Sequence, residues 1–239
     1  MSYKKSLPYF IFQSIKYAKN IQHFKTTWSY YHSWKSALVP GRNSVDDQQA
    51  WINFASLKFL ETYLRRDNKV FEYGGGGSTL FFIKHAGFVA TVENDQQWFQ
   101  TLKERIESLS VNSWEGFFQE GEEVAPDPNR RTYQPEDYLS NMKGQENLNY
   151  EKYAKMICRY PAEYFDVVLV DGRARPSCIA ESFPYLKKGG YLVVDNMERS
   201  YYHNVINHSY RNLMEVIIEG FYPTPYHPDF TNTMIFKKM

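Results

Sequence analysis

Cysteines and long apolar runs are scarce in this sequence. The 239 residues include two cysteines, Cys158 and Cys178, which are too few for a disulfide framework or a cysteine metal cluster. No apolar run approaches the roughly 20 residues of a membrane-spanning helix. Residues 8–15 are apolar, but they are too few for a secretory signal and lack its small-residue cleavage site. From these absences we expect an intracellular, cytoplasmic protein.

Acidic residues are absent from the first 45 positions, which hold seven Lys and Arg, whereas residues 46–239 hold 21 Lys and Arg against 27 Asp and Glu. The net charge of +1 does not favour a polyanionic partner, so we expect no nucleic acid to bind. Residues 8–35 mix aromatic residues and lysines at loosely helical spacing. They predict either an amphipathic contact with an anionic membrane surface, or an accessory helix that packs on the domain or on a second subunit of a homo-oligomer. A mitochondrial presequence fits less well, because Arg42 is the only arginine of the segment.

A glycine-rich turn dominates the middle of the chain, where residues 69–79 read Lys-Val-Phe-Glu-Tyr-Gly-Gly-Gly-Gly-Ser-Thr. The apolar run predicts a buried strand, the glycines remove every side chain from the turn, and Ser78 is a suitable N-cap for a following helix. The amino end of that helix favours an anionic group, either a phosphate or a carboxylate. The turn therefore predicts a ligand site.

Two acids distinguish between these ligands. Glu72 lies two residues before Gly74. Its carboxylate would repel a pyrophosphate, but it suits a ligand that carries an ammonium group beside its carboxylate. The order acid-x-Gly-x-Gly resembles the first motif of class I S-adenosylmethionine-dependent methyltransferases. Residues 88–93 predict a second strand that ends at Glu93, and the resemblance implies that Glu93 accepts hydrogen bonds from both ribose hydroxyls. It implies S-adenosylmethionine as cofactor, bound by Glu72, Tyr73, Gly74, Gly75, Gly76, Ser78, Glu93, Asn94 and Asp171.

Two further apolar strands end in polar residues: residues 164–171 end in Asp171, and residues 191–196 end in Asp-Asn. Such continuous apolar runs are typical of parallel strands buried on both faces, and ligands bind at their carboxyl ends. Residues 214–222 and 233–238 predict a closing antiparallel hairpin. The resemblance thus implies an α/β, Rossmann-like class I methyltransferase fold with a mostly parallel seven-stranded sheet over residues 46–239. Residues 1–45 form a basic aromatic extension, a helix starts at Asp46–Asp47, and an insertion spans about 122–160.

Several chemistries remain open for the site. The Asp-Pro-Pro-Tyr type of motif for base amino groups is absent, which counts against DNA N-methylation, and we expect O-methylation of a small molecule or glycan. Asp171, Asp195 and Asn196 resemble the Mg²⁺ ligands of catechol-type O-methyltransferases, but the lysine base of that family is Ala174 here. The base then lies elsewhere, and His203 is the candidate. Alternatively, Asp171 is a metal-free base or substrate anchor, and Arg173 and Arg175 bind an anionic substrate.

Other functions and structures are also compatible with the sequence. An aminopropyltransferase-like enzyme would use the same fold with a decarboxylated donor, and a Rossmann oxidoreductase would bind a nicotinamide. A non-catalytic module that binds a partner would need no cofactor. Residues 122–149 lack an apolar period, and they predict either a lid or substrate-facing insertion, or a disordered loop.

Overall fold

The structure is a computed structural model that describes residues 3–125, 127 and 129–239. In these residues, seven strands form one sheet in which five neighbouring strands pair in parallel and the two C-terminal strands pair antiparallel. The predicted α/β fold with its closing hairpin is therefore confirmed. In spatial order the strands are β3 (Trp114–Phe118), β2 (Phe88–Glu93), β1 (Lys69–Tyr73), β6 (Phe165–Val170), β7 (Leu186–Val194), β9 (Met234–Lys238) and β8 (Met214–Ile218).

Helices cover both faces of this sheet, so the central strands are buried on both sides. In β1, for example, Val70 lies in one apolar cluster with Leu60 and Phe82, whereas Phe71 and Tyr73 lie in the other. The helices are α1 (Leu7–Tyr17), α2 (Ile21–Ser29), α3 (Tyr31–Ala37), α4 (Phe54–Tyr63), α5 (Gly77–His85), α6 (Gln96–Glu107), α7 (Glu151–Ala154), α8 (Arg175–Ser182) and α9 (Ser200–Val205).

Two predicted helix starts are wrong. The helix expected from Asp46 begins at Phe54, where the Asn53 side chain accepts the Ser56 N–H at 2.9 Å. Upstream, Asn43 Oδ1 accepts the Asp46 N–H at 3.0 Å, and such local side-chain bonds compete with helix formation. Ser78 is not the cap of α5, because that helix begins one residue earlier, at Gly77.

The N-terminal helices α1–α3 share the core of the main domain. Phe10 and Trp34 are fully buried, and both belong to the cluster that contains α4 and β1. Phe10 also contacts Phe230 with ring centroids 5.3 Å apart, and Tyr17 stacks on Phe221 at 4.1 Å. Residues 3–45 are therefore anchored on the loop between β8 and β9. No helix in the described part of the chain is both long and apolar enough to span a bilayer.

The predicted insertion includes two short strands, β4 (Glu122–Glu123) and β5 (Leu148–Asn149), which pair antiparallel. Ser177 donates to the carbonyl of Pro135 at 2.6 Å, and Tyr138 donates to Glu181 at 2.7 Å. These bonds hold the segment against α8, beside the carboxyl end of β6. Residues 126 and 128 of the insertion lie outside the described residues, as do residues 1 and 2 of the N-terminal extension.

Candidate active site

The glycine turn forms the floor of a pocket of about 980 Å³ where β1, β2 and β6 end. Gly74 has a φ of +88°, and a Cβ on it would lie 2.9 Å from the Gly172 Cα, so glycine is required there for conformation and for space. The volume is that of a typical small-molecule site. The predicted cofactor residues on the pocket wall are Gly74, Gly75, Gly76, Ser78, Glu93, Asn94 and Asp171.

Glu93 links the glycine turn to the end of β2. Its Oε2 accepts the Gly75 N–H at 2.9 Å, and its Oε1 accepts the N–H groups of Asn94 and Asp95 at 2.7 and 2.8 Å. Burial raises the pKa of Glu93, and these backbone hydrogen bonds oppose the rise. Because a carboxylate offers about four acceptor positions, this rigidly held group has capacity for one more donor from the pocket.

Glu72 lies below the turn and has no exposed surface. Its Oε2 accepts hydrogen bonds from the hydroxyls of Thr79 at 2.5 Å and Thr91 at 3.1 Å, and the Thr79 hydroxyl accepts the Gly76 N–H at 2.9 Å. Oε1 has no hydrogen-bond partner among the described residues. Burial raises the pKa of Glu72 to about 8, although hydrogen bonds from hydroxyls oppose it. Glu72 is therefore placed to hold the turn from beneath.

Tyr73, which we also expected at the cofactor, points away from the pocket. Its side chain is fully buried in the core on one face of the sheet, and its hydroxyl donates to the carbonyl of Ala154 at 2.7 Å. Neither Tyr73 nor Glu72 lies on the pocket wall. Both residues are placed to support the site from its core side.

Asp171 and Asp195 converge on the guanidinium of Arg175. The Arg175 nitrogens lie 2.7 Å from Asp171 Oδ1 and 3.9 Å from Asp195 Oδ2, and one of them donates to the Asp195 carbonyl at 2.6 Å. Burial raises the pKa of both acids, while the charge of Arg175 opposes the rise. Asp195 Oδ1 also accepts the Thr233 hydroxyl at 2.5 Å.

This arrangement does not fit the expected Mg²⁺ site. The buried guanidinium of Arg175 already supplies the positive charge between Asp171 and Asp195. Asn196, the third expected ligand, follows Asp195 in a left-handed backbone conformation with a φ of 57°. No group of three or more His, Cys, Asp or Glu in the described ranges has the arrangement of a metal site. Arg175 is thus an internal counter-ion for the two carboxylates.

A smaller pocket of about 250 Å³ lies beyond Asp171. Gly172 and Arg173 line both this pocket and the larger one, and Arg199 lines the smaller one. The Arg173 Nε is buried and has no hydrogen-bond partner within residues 3–125, 127 and 129–239. His203, the expected alternative base, lies on the wall of neither pocket, and its Nε2 is 2.8 Å from the Met197 carbonyl oxygen.

Several residues of the larger pocket were missed from the sequence. Trp98 lies on its wall and donates from Nε1 to the Gly75 carbonyl at 2.8 Å. Tyr226 donates to Asp47 at 3.0 Å, and so joins the loop before β9 to the loop before α4. Trp98 follows Glu93 closely in the chain, so its position was a usable signal. No local pattern relates Tyr226 to Asp47, because 178 residues separate them.

Comparisons with known proteins identify the fold. No family model and no curated protein sequence matches the chain. A solved rRNA methylase from Streptococcus thermophilus is 14% identical with a TM-score of 0.53, over 77% of this chain and 95% of its own. A methyltransferase-like protein from Silicibacter pomeroyi is 19% identical with a TM-score of 0.52, over 80% and 89%. A Streptococcus mutans protein solved in complex with SAH is 13% identical with a TM-score of 0.52, over 77% and 96%.

One expectation about partners is wrong. We expected no nucleic acid partner from the overall charge, yet a protein of similar fold is named an rRNA methylase. The net charge averages over the whole chain, whereas seven basic residues and no acids lie within residues 1–45. A single net value therefore does not report local binding of phosphates. The sheet order, the antiparallel C-terminal pair and these structural matches agree that the chain has the fold of class I S-adenosylmethionine-dependent methyltransferases.

Proposed function

We propose that the protein is an S-adenosylmethionine-dependent methyltransferase. The observation that carries the proposal is the convergence, on one pocket, of the Glu93 carboxylate, the bare backbone of residues 74–76 and Asp171. S-adenosylmethionine would supply a methyl group that its sulfonium already activates. What the protein must provide is alignment of the acceptor, and removal of a proton where the acceptor is a hydroxyl.

The residues of the larger pocket divide the binding between them. The first-turn N–H groups of α5 have no acceptor within their helix, and they suit the carboxylate of the cofactor's amino-acid end. Glu93 is held by three backbone donors and offers its remaining acceptor capacity to a ribose hydroxyl. Trp98 is fixed by its bond to the Gly75 carbonyl and forms an apolar wall beside the turn.

For the acceptor, we propose an oxygen atom of a small molecule or glycan that carries an anionic group. The smaller pocket supports this proposal, because it adjoins Asp171 through Gly172 and contains Arg173 and Arg199. Neither arginine forms an ion pair with a carboxylate in the described residues, so each has charge available for an anion. Asp171 is held through Oδ1 by Arg175, and its raised pKa suits a group that accepts a proton from a hydroxyl.

Labelled S-adenosylmethionine tests this function. Wild type, Glu93→Ala and Asp171→Asn would be incubated with hydroxylated carboxylic acids, acidic glycans, and rRNA and tRNA, each with and without EDTA. We expect label on an oxygen of a small acceptor, no label with Glu93→Ala, and no effect of EDTA because Arg175 occupies the place between the acids. Failure to label any acceptor, together with no affinity for S-adenosylhomocysteine, would overturn the proposal.

Two other outcomes would change the proposed acceptor or reaction. Label on RNA would replace the small acceptor with the kind of substrate for which the Streptococcus thermophilus protein is named. Binding of decarboxylated S-adenosylmethionine in preference to the intact cofactor would instead indicate aminopropyl transfer. In that case the α5 N-terminus would have no carboxylate to bind, which is why we favour methyl transfer.

A further inference from the structure

Helix α1 is oriented with an apolar face toward solvent. Leu7, Phe12 and Ile15 have 41%, 53% and 64% of their surface exposed, whereas Gln13 and Ser14 have only 4% and 1% exposed. A helix that only packs on a domain normally buries its apolar stripe and exposes its polar residues. The buried polar groups are anchored instead by hydrogen bonds, such as the one from the Ser14 hydroxyl to the Phe10 carbonyl. The exposed apolar residues therefore require another explanation.

Helix α2 also exposes apolar side chains. Ile21 and Trp28 are 70% and 41% exposed, and Phe24 stacks on Trp28 with ring centroids 6.2 Å apart. Trp28 also contacts Phe10 of α1 at 5.7 Å, so the two helices adjoin. We define the N-terminal apolar surface as the exposed apolar side chains of these two helices together with their partly exposed phenylalanine. It consists of Leu7, Phe12, Ile15, Ile21, Phe24 and Trp28.

Four lysines of the N-terminal segment lie on or next to helices α1 and α2. Lys4 and Lys19 pair with acids of the C-terminal loop, Asp229 at 3.3 Å and Glu219 at 2.6 Å. Lys16 and Lys25 lie on α1 and α2 and are exposed, and the described part of the chain places no carboxylate within ion-pair distance of either. Lys16 and Lys25 therefore leave positive charge beside the exposed apolar side chains.

We propose that the N-terminal apolar surface binds an anionic lipid bilayer, with its apolar side chains in the interface and its lysines at the headgroups. Aromatic and aliphatic residues beside lysines are the composition of interfacial helices. Base stacking on nucleic acid would use Trp28 and Phe24, but it gives no role to the exposed Leu7, Ile15 and Ile21. A second copy of the same surface would bring lysines against lysines in a two-fold interface. The exposed aliphatic side chains therefore favour a lipid over nucleic acid, and the lysines favour a lipid over a second copy of the chain.

The proposal predicts that the protein floats with anionic lipid vesicles. In flotation with phosphatidylcholine vesicles, with and without phosphatidylglycerol, we expect the full chain to bind only the anionic vesicles. Ile15→Gln and Phe12→Gln should each lower the partition coefficient severalfold, and Lys16→Gln and Lys25→Gln should lower it about fivefold each. Leu213 is apolar like Phe12 and Ile15 and 46% exposed, but it lies outside the surface. Leu213→Gln is therefore the matched control and should leave vesicle binding unchanged.

Further measurements make the outcome unambiguous. Circular dichroism and S-adenosylhomocysteine affinity should be the same in all these variants, because the substituted side chains are exposed and none of them lines the pocket. Lipid binding does not depend on the proposed methyl transfer, so either can fail alone. Equal binding to neutral and anionic vesicles, or none to both, would overturn the proposal. So would a dimer, or binding to homopolymer RNA, that Ile15→Gln abolishes while leaving vesicle binding intact.

Discussion

Replacing Glu72 by glutamine should change how the stability of the protein depends on pH. Burial raises the pKa of Glu72 to about 8 in the native state, from an ordinary value of 4.5. Between these values the native protein holds a proton that the unfolded chain has lost. The free energy of unfolding therefore falls as pH rises through this window and is constant above it. The difference of roughly 3.5 pKa units corresponds to about 5 kcal/mol at most, as an order of magnitude.

Glutamine has no proton to lose, so Glu72→Gln should remove this part of the pH dependence. Its carbonyl oxygen can still accept from Thr79 and Thr91, while its amide group would occupy the position of Oε1, which has no partner among the described residues. That unpaired amide costs about 1–3 kcal/mol at every pH. Wild type should be the more stable protein near pH 5, and Glu72→Gln should be as stable or more stable near pH 9.

Chemical denaturation at pH 5, 7 and 9 would measure this difference. Other buried acids titrate in both proteins. The free energy of unfolding of wild type minus that of Glu72→Gln therefore isolates the contribution of Glu72. Glu107→Gln, a substitution of a glutamate whose side chain is 63% exposed, is the control and should follow the wild-type curve. Parallel curves for wild type and Glu72→Gln would refute the assignment of Glu72 as a buried, protonated support of the glycine turn.

Three other substitutions, one of them with a matched control, test the geometry of the site. Gly74→Ala should lower the melting temperature, because an alanine at a φ of +88° costs about 1 kcal/mol and its Cβ would meet Gly172. Gly76→Ala is the control: its Cβ would come no closer than 3.9 Å to another residue, so this variant should melt like wild type. Arg175→Met should destabilise the fold by about 3–5 kcal/mol at pH 8, since two buried acids lose their cation, and denaturation should show a smaller loss at pH 5. Tyr226→Phe removes the hydrogen bond that joins two loops over the pocket, so calorimetry should show about fivefold weaker S-adenosylhomocysteine binding, equivalent to about 1 kcal/mol.

Much of the fold was predictable because its information is local. Four of the five parallel strands, β1, β2, β6 and β7, appeared as apolar runs, and Glu93 and Asp171 marked the strand ends where the pocket lies. The start of α4 was predicted wrongly, because apolar residues before Phe54 continued the helical spacing while Asn53 supplied the true cap. Caps and side-chain turns depend on single hydrogen bonds, which periodicity does not report.

The chemistry of the site was less predictable because it depends on distant residues. Arg175 had the same appearance as Arg173 in the sequence, yet one is clamped between Asp171 and Asp195 and the other reaches both pockets. Sequence order does not reveal this difference, because β7 must first bring Asp195 beside β6. Glu72 likewise resembled a ligand contact until the strands placed it beneath the turn. Side-chain roles at strand ends thus follow from the assembled sheet.

Calorimetric titration with S-adenosylhomocysteine is the most direct test of the central claim. Wild type should bind one molecule per chain, with the same affinity in the presence and absence of Mg²⁺. Glu93→Ala should lose this binding while it keeps a cooperative melting transition, because we propose that Glu93, a carboxylate held at the pocket wall, accepts a hydrogen bond from the ribose. Absence of binding to the wild-type protein, or equal binding to Glu93→Ala, would contradict the assignment of the pocket to S-adenosylmethionine.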